Sequence, residues 1–253
     1  IDRLRRVINN DQIILTLLAL VVGAVTSGAV IVFREAIDAM QGLFFAGGEG
    51  SLFQNAAQLP WWHVVSVPVV GGVVIGLACK YLMPEGRPQG MADVIEASAL
   101  RGGRMSALVA LKAALINAAS IGVGASVGRE GPAVHFGAAL GGWLAQTLNL
   151  NRSVSRTLLG CGAAAAVAAS FNAPIAGALF ASEVVIGHYA LSAFAPIVIA
   201  SVTATAVSRF YFGDYPAFTI PEHVIQSLWE YPAFIGLGIV AGFTAMAFMK
   251  GTM

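Results

Sequence analysis

The stretch Gly124-Ala125-Ser126-Val127-Gly128-Arg129-Glu130-Gly131-Pro132-Ala133-Val134-His135-Phe136 decides the fold, because it brings charge, glycine and a helix start together inside apolar sequence. Pro132 fits the first turn of a helix, and the glycines before it free the backbone. The amides of a helix start carry partial positive charge, lack acceptors within the helix and bind anions readily. We expect the anion to lie against the backbone at Gly128, Arg129, Gly131 and Pro132.

Glu130 stands beside these same amides. Its carboxylate can occupy the position that an anion would take, and protonation would release it, so we expect Glu130 to act as a gate. The alternative is a carboxylate that only caps its own helix. An ionisable side chain inside a membrane costs about 2.5–3.5 kcal/mol on insertion scales, which argues against an idle one.

The composition places the whole chain in a membrane. Of the 253 residues, 57% are hydrophobic and 11% are charged, which is outside the range of soluble domains. The formal net charge is +1, and the basic residues form short clusters between apolar segments, which argues against nucleic acid as a partner. Cys79 and Cys161 fall in apolar segments, so no disulfide framework is expected. We also expect the first apolar segment to remain as an anchor, because it lacks the cleavage pattern of a signal peptide.

The order of apolar and charged segments predicts a polytopic, all-α protein. We expect a basic surface helix at 2–9, a long tilted helix at 12–45, an outer loop at 46–61, a second span at 63–83 and short helices at 91–100 and 105–119. Basic residues cluster on one side of these spans. The positive-inside rule makes that side cytoplasmic, with the N-terminus there and the plasma (inner) membrane as the location.

Most of the later helices do not reach the length of a simple span. They are predicted at 133–148, 153–169, 174–187 and 193–210, and are followed by a loop at 211–223 and a further helix from 225. Broken helices leave backbone groups unpaired inside the bilayer, which is tolerated where they are buried in protein or line a cavity. The pattern therefore predicts a transport fold of tilted, broken and re-entrant helices.

Three linked blocks resemble the CLC chloride channel and transporter family: Gly128-Arg129-Glu130-Gly131-Pro132, residues 160–165 and residues 169–177. The resemblance implies two inverted halves whose helix starts converge in mid-membrane, with Glu130 as the gating glutamate and chloride as the transported ion. It also implies a homodimer, with residues 174–210 at the interface. The family's organisation would give a cytoplasmic surface helix at 1–10, the first repeat at 11–210, and a loop and the start of the second repeat at 211–253.

Two positions depart from the family pattern. The filter stretch Gly-Ser-Gly-Ile-Pro reads Pro88-Gln89-Gly90-Met91-Ala92 here, so the resemblance places Gln89, Gly90 and Met91 in the anion path. The amide of Gln89 can donate to an anion, but it is larger than the family's serine. The family's inner proton-relaying glutamate is replaced by Val184. This replacement favours a passive, voltage- and pH-dependent channel, with a proton-coupled chloride or anion exchanger as the alternative.

The family's second-half filter and pore tyrosine have no counterpart in the sequence. We therefore expect either a shortened chain or a missing half that comes from elsewhere. A distant alternative is a membrane-embedded hydrolase, because residues 124–128 match Gly-x-Ser-x-Gly. That motif requires a strand before it and acid and histidine partners. An apolar helix precedes it here, so we expect neither an enzyme nor catalytic residues.

Three further expectations concern side chains and bound groups. We expect Arg129 to orient its loop through an ion pair, since a full positive charge would hold chloride too tightly for fast passage. We expect His135 to be structural, with proton transfer or a bond to a backbone carbonyl as the alternatives. No His-Glu-x-x-His or paired-cysteine spacing occurs in the sequence, so no metal and no cofactor are expected.

Overall fold

The computed structural model describes residues 11–45, 52–214 and 227–252. In chain order its elements are α1 (Asp11–Phe44), α2 (Leu52–Ala57), α3 (Trp61–Leu82), a 3₁₀ turn (Pro84–Gly86), α4 (Met91–Ala99), α5 (Ala107–Gly122), α6 (Glu130–Thr147), α7 (Arg152–Phe171), α8 (Pro174–Phe180), a π-helical segment (Ala181–Ile186), α9 (Leu191–Phe212) and α10 (Glu230–Thr252). The chain divides into two units, Ile1–Ala217 and Phe218–Met253, and α10 belongs to the second.

The expected all-α membrane fold is confirmed. Five described helices, namely α1, α3, α7, α9 and α10, are long and apolar enough to cross a membrane. α5 and the continuous segment Pro174–Ile186 are apolar but shorter. No strand occurs among the described residues. The surface helix expected at 2–9 lies outside the described residues.

Two predicted boundaries are wrong in informative ways. The expected outer loop at 46–61 contains α2, a helix of six residues. The helix expected to begin at residue 133 begins at Glu130. Pro132 is the third residue of that helix, and proline is tolerated there because the first amides of a helix have no acceptor within it. The helix therefore starts three residues earlier and takes Glu130 into its first turn.

Helix α7 forms the centre of the first unit. Its side chains from Leu158 to Ala166 are buried, and α1, α6, α8 and α9 all pack against it. Small residues let α6 and α7 approach closely: a Cβ atom on Gly137 would lie 2.6 Å from the Gly162 carbonyl oxygen, and one on Gly141 would overlap the Leu158 carbonyl. This antiparallel contact fixes α6, and with it the stretch around Glu130, to the core.

Side chains define both ends of α7. The Asn151 carboxamide oxygen accepts a hydrogen bond from the Val154 N–H at 2.9 Å, which caps the start. At the other end Asn172 adopts the left-handed conformation with φ 55° and its N–H donates to the Ala168 carbonyl. Arg209 of α9 then donates to the Asn172 side-chain oxygen at 2.6 Å. The end of α7 is thereby tied to the end of α9.

Helix α3 differs from α7 in its exposure. Its valines at 69, 70, 73 and 74 are about 60% exposed within the described structure. It packs chiefly against α5, where the Gly71 backbone meets Val123. An apolar helix with an uncovered face is typical of a lipid-facing position.

Candidate functional site

The loop that ends in Arg129 presents Glu130 at the start of α6. Its carboxylate folds back over the preceding turn, so that a Cβ atom on Gly128 would lie 2.7 Å from Glu130 Oε2. The same addition at Gly131 would meet nothing within 4 Å. The side of Gly131 on which a side chain would project is therefore open. An open backbone at a helix start is accessible to an anion.

Arg129 lies close to Glu130 but binds it loosely. Arg129 Nε is 3.9 Å from Glu130 Oε1, and the two side chains are 39% and 42% exposed. An exposed pair of this length contributes little stability. Arg129 also lines a narrow cavity with Arg34, whose guanidinium lies 4.4 Å from the centroid of the Phe212 ring. Two cationic side chains therefore flank the helix start.

The start of α4 carries the second predicted set of residues. Gly90 precedes the helix in extended backbone, and its N–H donates to Asp93 Oδ2 at 2.8 Å. Met91 packs against the buried core, whereas Gln89 is partly exposed. The Gly90 amide therefore caps its own helix through Asp93. Among the three filter-position residues, Gln89 offers the side-chain donor.

Arg87 clamps the same carboxylate. It donates from Nη1 to Asp93 Oδ2 at 3.2 Å and from Nη2 to Oδ1 at 2.9 Å, which is a bidentate arrangement. Partial burial acts to raise the pKa of Asp93. The hydrogen bonds from Arg87 and Gly90, with the charges of Arg87 and His135, outweigh burial and hold that pKa below its usual 3.8. Asp93 is thus a charged cap fixed at the α4 start.

His135 connects the α4 start to α6. It is 1% exposed, its Nε2 has no hydrogen-bond partner among the described residues, and it lies near enough to Asp93 for the two side chains to interact electrostatically. His135 stands five residues after Glu130, so the first turns of α6 lie beside the start of α4. α4 and α6, which begin after Gly90 and at Glu130, therefore pack against each other.

Val184 lies in the π-helical segment. The segment packs against α4 and α7, and Val184 within it is 40% exposed. Its neighbour Glu183 is also exposed, and Glu183 Oε2 accepts a hydrogen bond from the Tyr189 hydroxyl at 3.2 Å. π-helical turns are uncommon and occur often at functional sites. α4 thus contacts both the helix of Glu130 and the segment of Val184.

Arg87 and Asp93 are the residues that the sequence reasoning missed as site residues. The spacing could have revealed Asp93, because an acid three residues after a helix-capping position commonly accepts from the capping backbone N–H. Arg87 had no such pattern, since it lies before the helix in a turn. The unpartnered Nε2 of His135 could not be read from the sequence at all.

Curated relatives match most of this chain. The family model described as voltage-gated chloride channel matches residues 71–253. A ClcB-like protein of Ralstonia nicotianae is 36% identical over 225 residues, which are 87% of this chain and 52% of the relative. The voltage-gated ClC-type chloride channel ClcB of Yersinia pseudotuberculosis is 30% identical, over 92% of this chain and 57% of its own. The chain spans about half the length of these relatives.

Solved structures share the fold. A slow cyanobacterial Cl⁻/H⁺ antiporter superposes with a TM-score of 0.73 at 23% identity, covering 91% of this chain and 54% of the antiporter. A CLC-type fluoride/proton antiporter superposes with a TM-score of 0.69 at 25% identity, covering 90% of this chain and 54% of its own. With a family model over most of the sequence and a relative 36% identical over 87% of it, the chain belongs to the CLC family of voltage-gated chloride channel proteins.

Proposed function

We propose that this protein moves small anions, chloride first among them, across a membrane through a path that includes the starts of α4 and α6. The observation that carries the proposal is the packing of these two helix starts through Asp93 and His135. Glu130 begins one of these two packed helices and Gln89 immediately precedes the capping residue of the other, which supports a shared path for residues far apart in sequence. Helix starts attract anions without adding a full positive charge.

In this proposal Glu130 is the gate. Its carboxylate, folded over Gly128 and beside the open backbone at Gly131, competes with the anion for the same amides. Protonation removes the negative charge and lets the anion replace it. Gly128, Arg129, Gly131 and Pro132 form the surroundings of the gate, while Gln89, Gly90 and Met91 border the path from α4.

We propose passive conduction as the mode of transport. Val184 carries no proton and occupies the position of the family's inner glutamate, next to α4. The second candidate is proton-coupled exchange. Two observations favour it: a CLC-type fluoride/proton antiporter is among the similar structures, and Glu183 next to Val184 is exposed and bonded to Tyr189. The similarity to a fluoride/proton antiporter, together with Gln89 at the filter position, makes fluoride the second ion to test after chloride.

We further propose a homodimer in the plasma (inner) membrane with a cytoplasmic N-terminus. Residues 174–210 would form the interface, because Ile175, Leu179, Leu191 and Val202 expose apolar side chains there. Members of this family are transporters and not enzymes, and we propose no catalytic role, cofactor or metal. Cross-linking of Ile175→Cys across subunits would support the interface, whereas a monomer in the bilayer would contradict it.

The gate is tested by anion efflux from liposomes over a pH series. The flux through wild-type protein should rise as the pH falls, because protonation removes the charge that competes with the anion. Glu130→Gln should conduct with little response to pH. Glu96→Gln is the matched control and should respond like wild type. Glu96 is an acid of α4, outside the first turn of α6, and its Oε1 lies 2.8 Å from Arg101 Nη2. An unchanged pH response in Glu130→Gln removes Glu130 from the gate.

The mode of transport is tested by the reversal potential under combined chloride and proton gradients. Passive conduction predicts a potential that follows chloride alone. A shift with the proton gradient would establish exchange and overturn the passive reading. Repeating the measurement with fluoride in place of chloride would show which anion the path with Gln89 prefers.

A further inference from the structure

A cavity of about 210 Å³, lined by both polar and apolar residues, lies at the end of the first unit opposite to Glu130. It is formed by the start of α1, the first turns of α7, the end of the π-helical segment and the start of α9. α6 has 18 residues and rises about 27 Å, and α7 begins beyond its far end. The cavity is therefore distinct from the anion site at the start of α6.

Arg156 is the central cation of this cavity. Its Nη2 donates to the Ile186 carbonyl at 3.3 Å, while its Nε is buried and has no hydrogen-bond partner among the described residues. No described carboxylate lies within ion-pair distance of it. A buried donor on a charged group costs free energy unless an acceptor is bound. Arg156 lines the cavity, and its other N–H groups can donate to an anionic oxygen bound there.

His188 adds a second donor. The Ala190 N–H donates to His188 Nδ1 at 3.3 Å, so this hydrogen bond assigns the ring proton to Nε2. Ser153 and Ser192 line the same cavity at the starts of α7 and α9, where the backbone also carries partial positive charge. None of the described lining residues is acidic. The donors in this cavity thus favour an anion over a cation.

The size of the cavity selects among anions. A water molecule takes about 30 Å³ in the liquid, and a single chloride ion is of similar size, so chloride would leave most of the 210 Å³ empty. A tetrahedral phosphate offers several acceptor oxygens to donors on different sides. Arginine suits phosphate well because its fork of N–H groups matches two oxygens.

We propose that this cavity binds a phosphate group, carried either by inorganic phosphate or by the headgroup of an anionic phospholipid. Arg156 and His188 bind its oxygens, with the hydroxyls of Ser153 and Ser192 beside them. Basic pockets between membrane helices bind lipid headgroups by the same chemistry. The bound group would join α7, α9 and the π-helical segment, and should therefore stabilise the folded protein.

The first arm of the test titrates inorganic phosphate into purified protein in maltoside micelles at fixed chloride and ionic strength. Thermal unfolding should show a saturable rise in Tm. Arg156→Gln should raise the apparent Kd at least about tenfold, as expected for loss of a charged hydrogen bond. His188→Asn leaves the Arg156–Ile186 contact in place and should weaken binding about threefold. Arg101→Gln is the matched control, since Arg101 pairs with Glu96 outside the cavity, and should bind like wild type.

The second arm measures phospholipid. The protein is taken from nanodiscs that contain phosphatidylglycerol, and native mass spectrometry counts the lipids that it retains. Wild type and Arg101→Gln should retain one more phosphatidylglycerol than Arg156→Gln or His188→Asn. If Arg156→Gln and His188→Asn weaken only the binding of inorganic phosphate, free phosphate is the ligand. If they reduce only the number of retained phosphatidylglycerol molecules, the ligand is the lipid headgroup. If both variants match wild type in both arms, the cavity is not a phosphate site.

Discussion

A Cβ atom added at Gly137, on the α6–α7 contact, and one added at Gly128, two residues before Glu130, would each meet an obstacle at nearly the same distance. The two obstacles differ in how easily they can move. A Cβ atom on Gly137 would lie 2.6 Å from the Gly162 carbonyl oxygen, and one on Gly128 would lie 2.7 Å from Glu130 Oε2. The first obstacle is backbone of a buried helix, which cannot move away. The second is the tip of a side chain that can turn. The α6–α7 contact is therefore a rigid support, whereas the carboxylate at its end is free to change place.

The largest effect is expected at the rigid support. Gly162→Val would place a branched side chain against the Gly137 carbonyl and force α6 and α7 apart. We expect a cost of more than about 3 kcal/mol, at the upper end for overpacking, and failure to yield folded protein. Thermal unfolding and size-exclusion profiles in detergent measure it.

Gly72→Val is the matched control for that variant. Gly72 lies inside α3, and a Cβ atom there meets nothing within 4 Å. We expect a change of less than about 1 kcal/mol, set by helix propensity alone. Equal losses for the two variants would show that the α6–α7 contact is no tighter than an open helix face.

A smaller effect is expected at the α4 start. Asp93→Asn removes the charge that Arg87 and the Gly90 N–H bind, and should lower the free energy of unfolding by about 1–2 kcal/mol at pH 7. Because the pKa of Asp93 is lowered on folding, its contribution is complete above the unfolded value near 3.8 and is lost as the pH falls through the lower folded value.

The pH dependence of unfolding distinguishes this cap from an ordinary surface charge. The stability difference between wild type and Asp93→Asn should be constant from pH 7 to about 5 and should close below pH 3.8. Glu96→Gln serves as the control, because its partner Arg101 is 56% exposed and the pair contributes little. A difference that persists in strong acid would assign the effect of Asp93→Asn to packing.

Gly128→Ala should sharpen the comparison between the two kinds of glycine. The new methyl group meets only the end of the Glu130 side chain, so stability should fall by less than about 1 kcal/mol. If Glu130 is the gate, displacement of its carboxylate should raise anion flux at neutral pH by about threefold, equivalent to under 1 kcal/mol. Liposome efflux at pH 7 measures this, and a flux equal to wild type would contradict the gate geometry.

The smallest effect is expected for Arg129→Gln. The Arg129–Glu130 pair is 3.9 Å long and both side chains are largely exposed, so its loss should change the free energy of unfolding by less than about 0.5 kcal/mol. Unfolding curves at low and high salt should coincide for the variant and wild type. A large loss would mean that Arg129 has a structural role beyond this pair.

Most of the fold followed from local patterns. Apolar length predicted α1, α3 and α7 within a few residues, and the break before Pro174 predicted the short helix α8. The start of α6 was placed three residues late, because the helix was expected to begin after Pro132, which is in fact its third residue. The six-residue helix α2 was missed, because so short a segment has no periodicity to separate it from a loop.

The residues of the candidate site could be proposed from the sequence, but the contacts between the elements that carry them could not. Glu130 was identified from its position between glycines, and Gln89 and Val184 from the spacing of a family pattern. The contacts of α4 with α6 and with the π-helical segment join parts of the chain that are far apart in sequence. The clamp of Arg87 on Asp93 and the burial of His135 also arise only from that packing.

The sequence alone determined that this chain is a bundle of membrane helices, because 57% apolar composition and the lengths of the apolar runs act locally. It also placed Glu130 at a helix start, because glycine and proline restrict the backbone wherever they stand. Only the tertiary structure decided that the Gly90 N–H donates to Asp93, that no acid occurs among the described residues lining the Arg156 cavity, and that α4 contacts both α6 and the π-helical segment. Such facts depend on distances between remote residues, which local patterns do not contain.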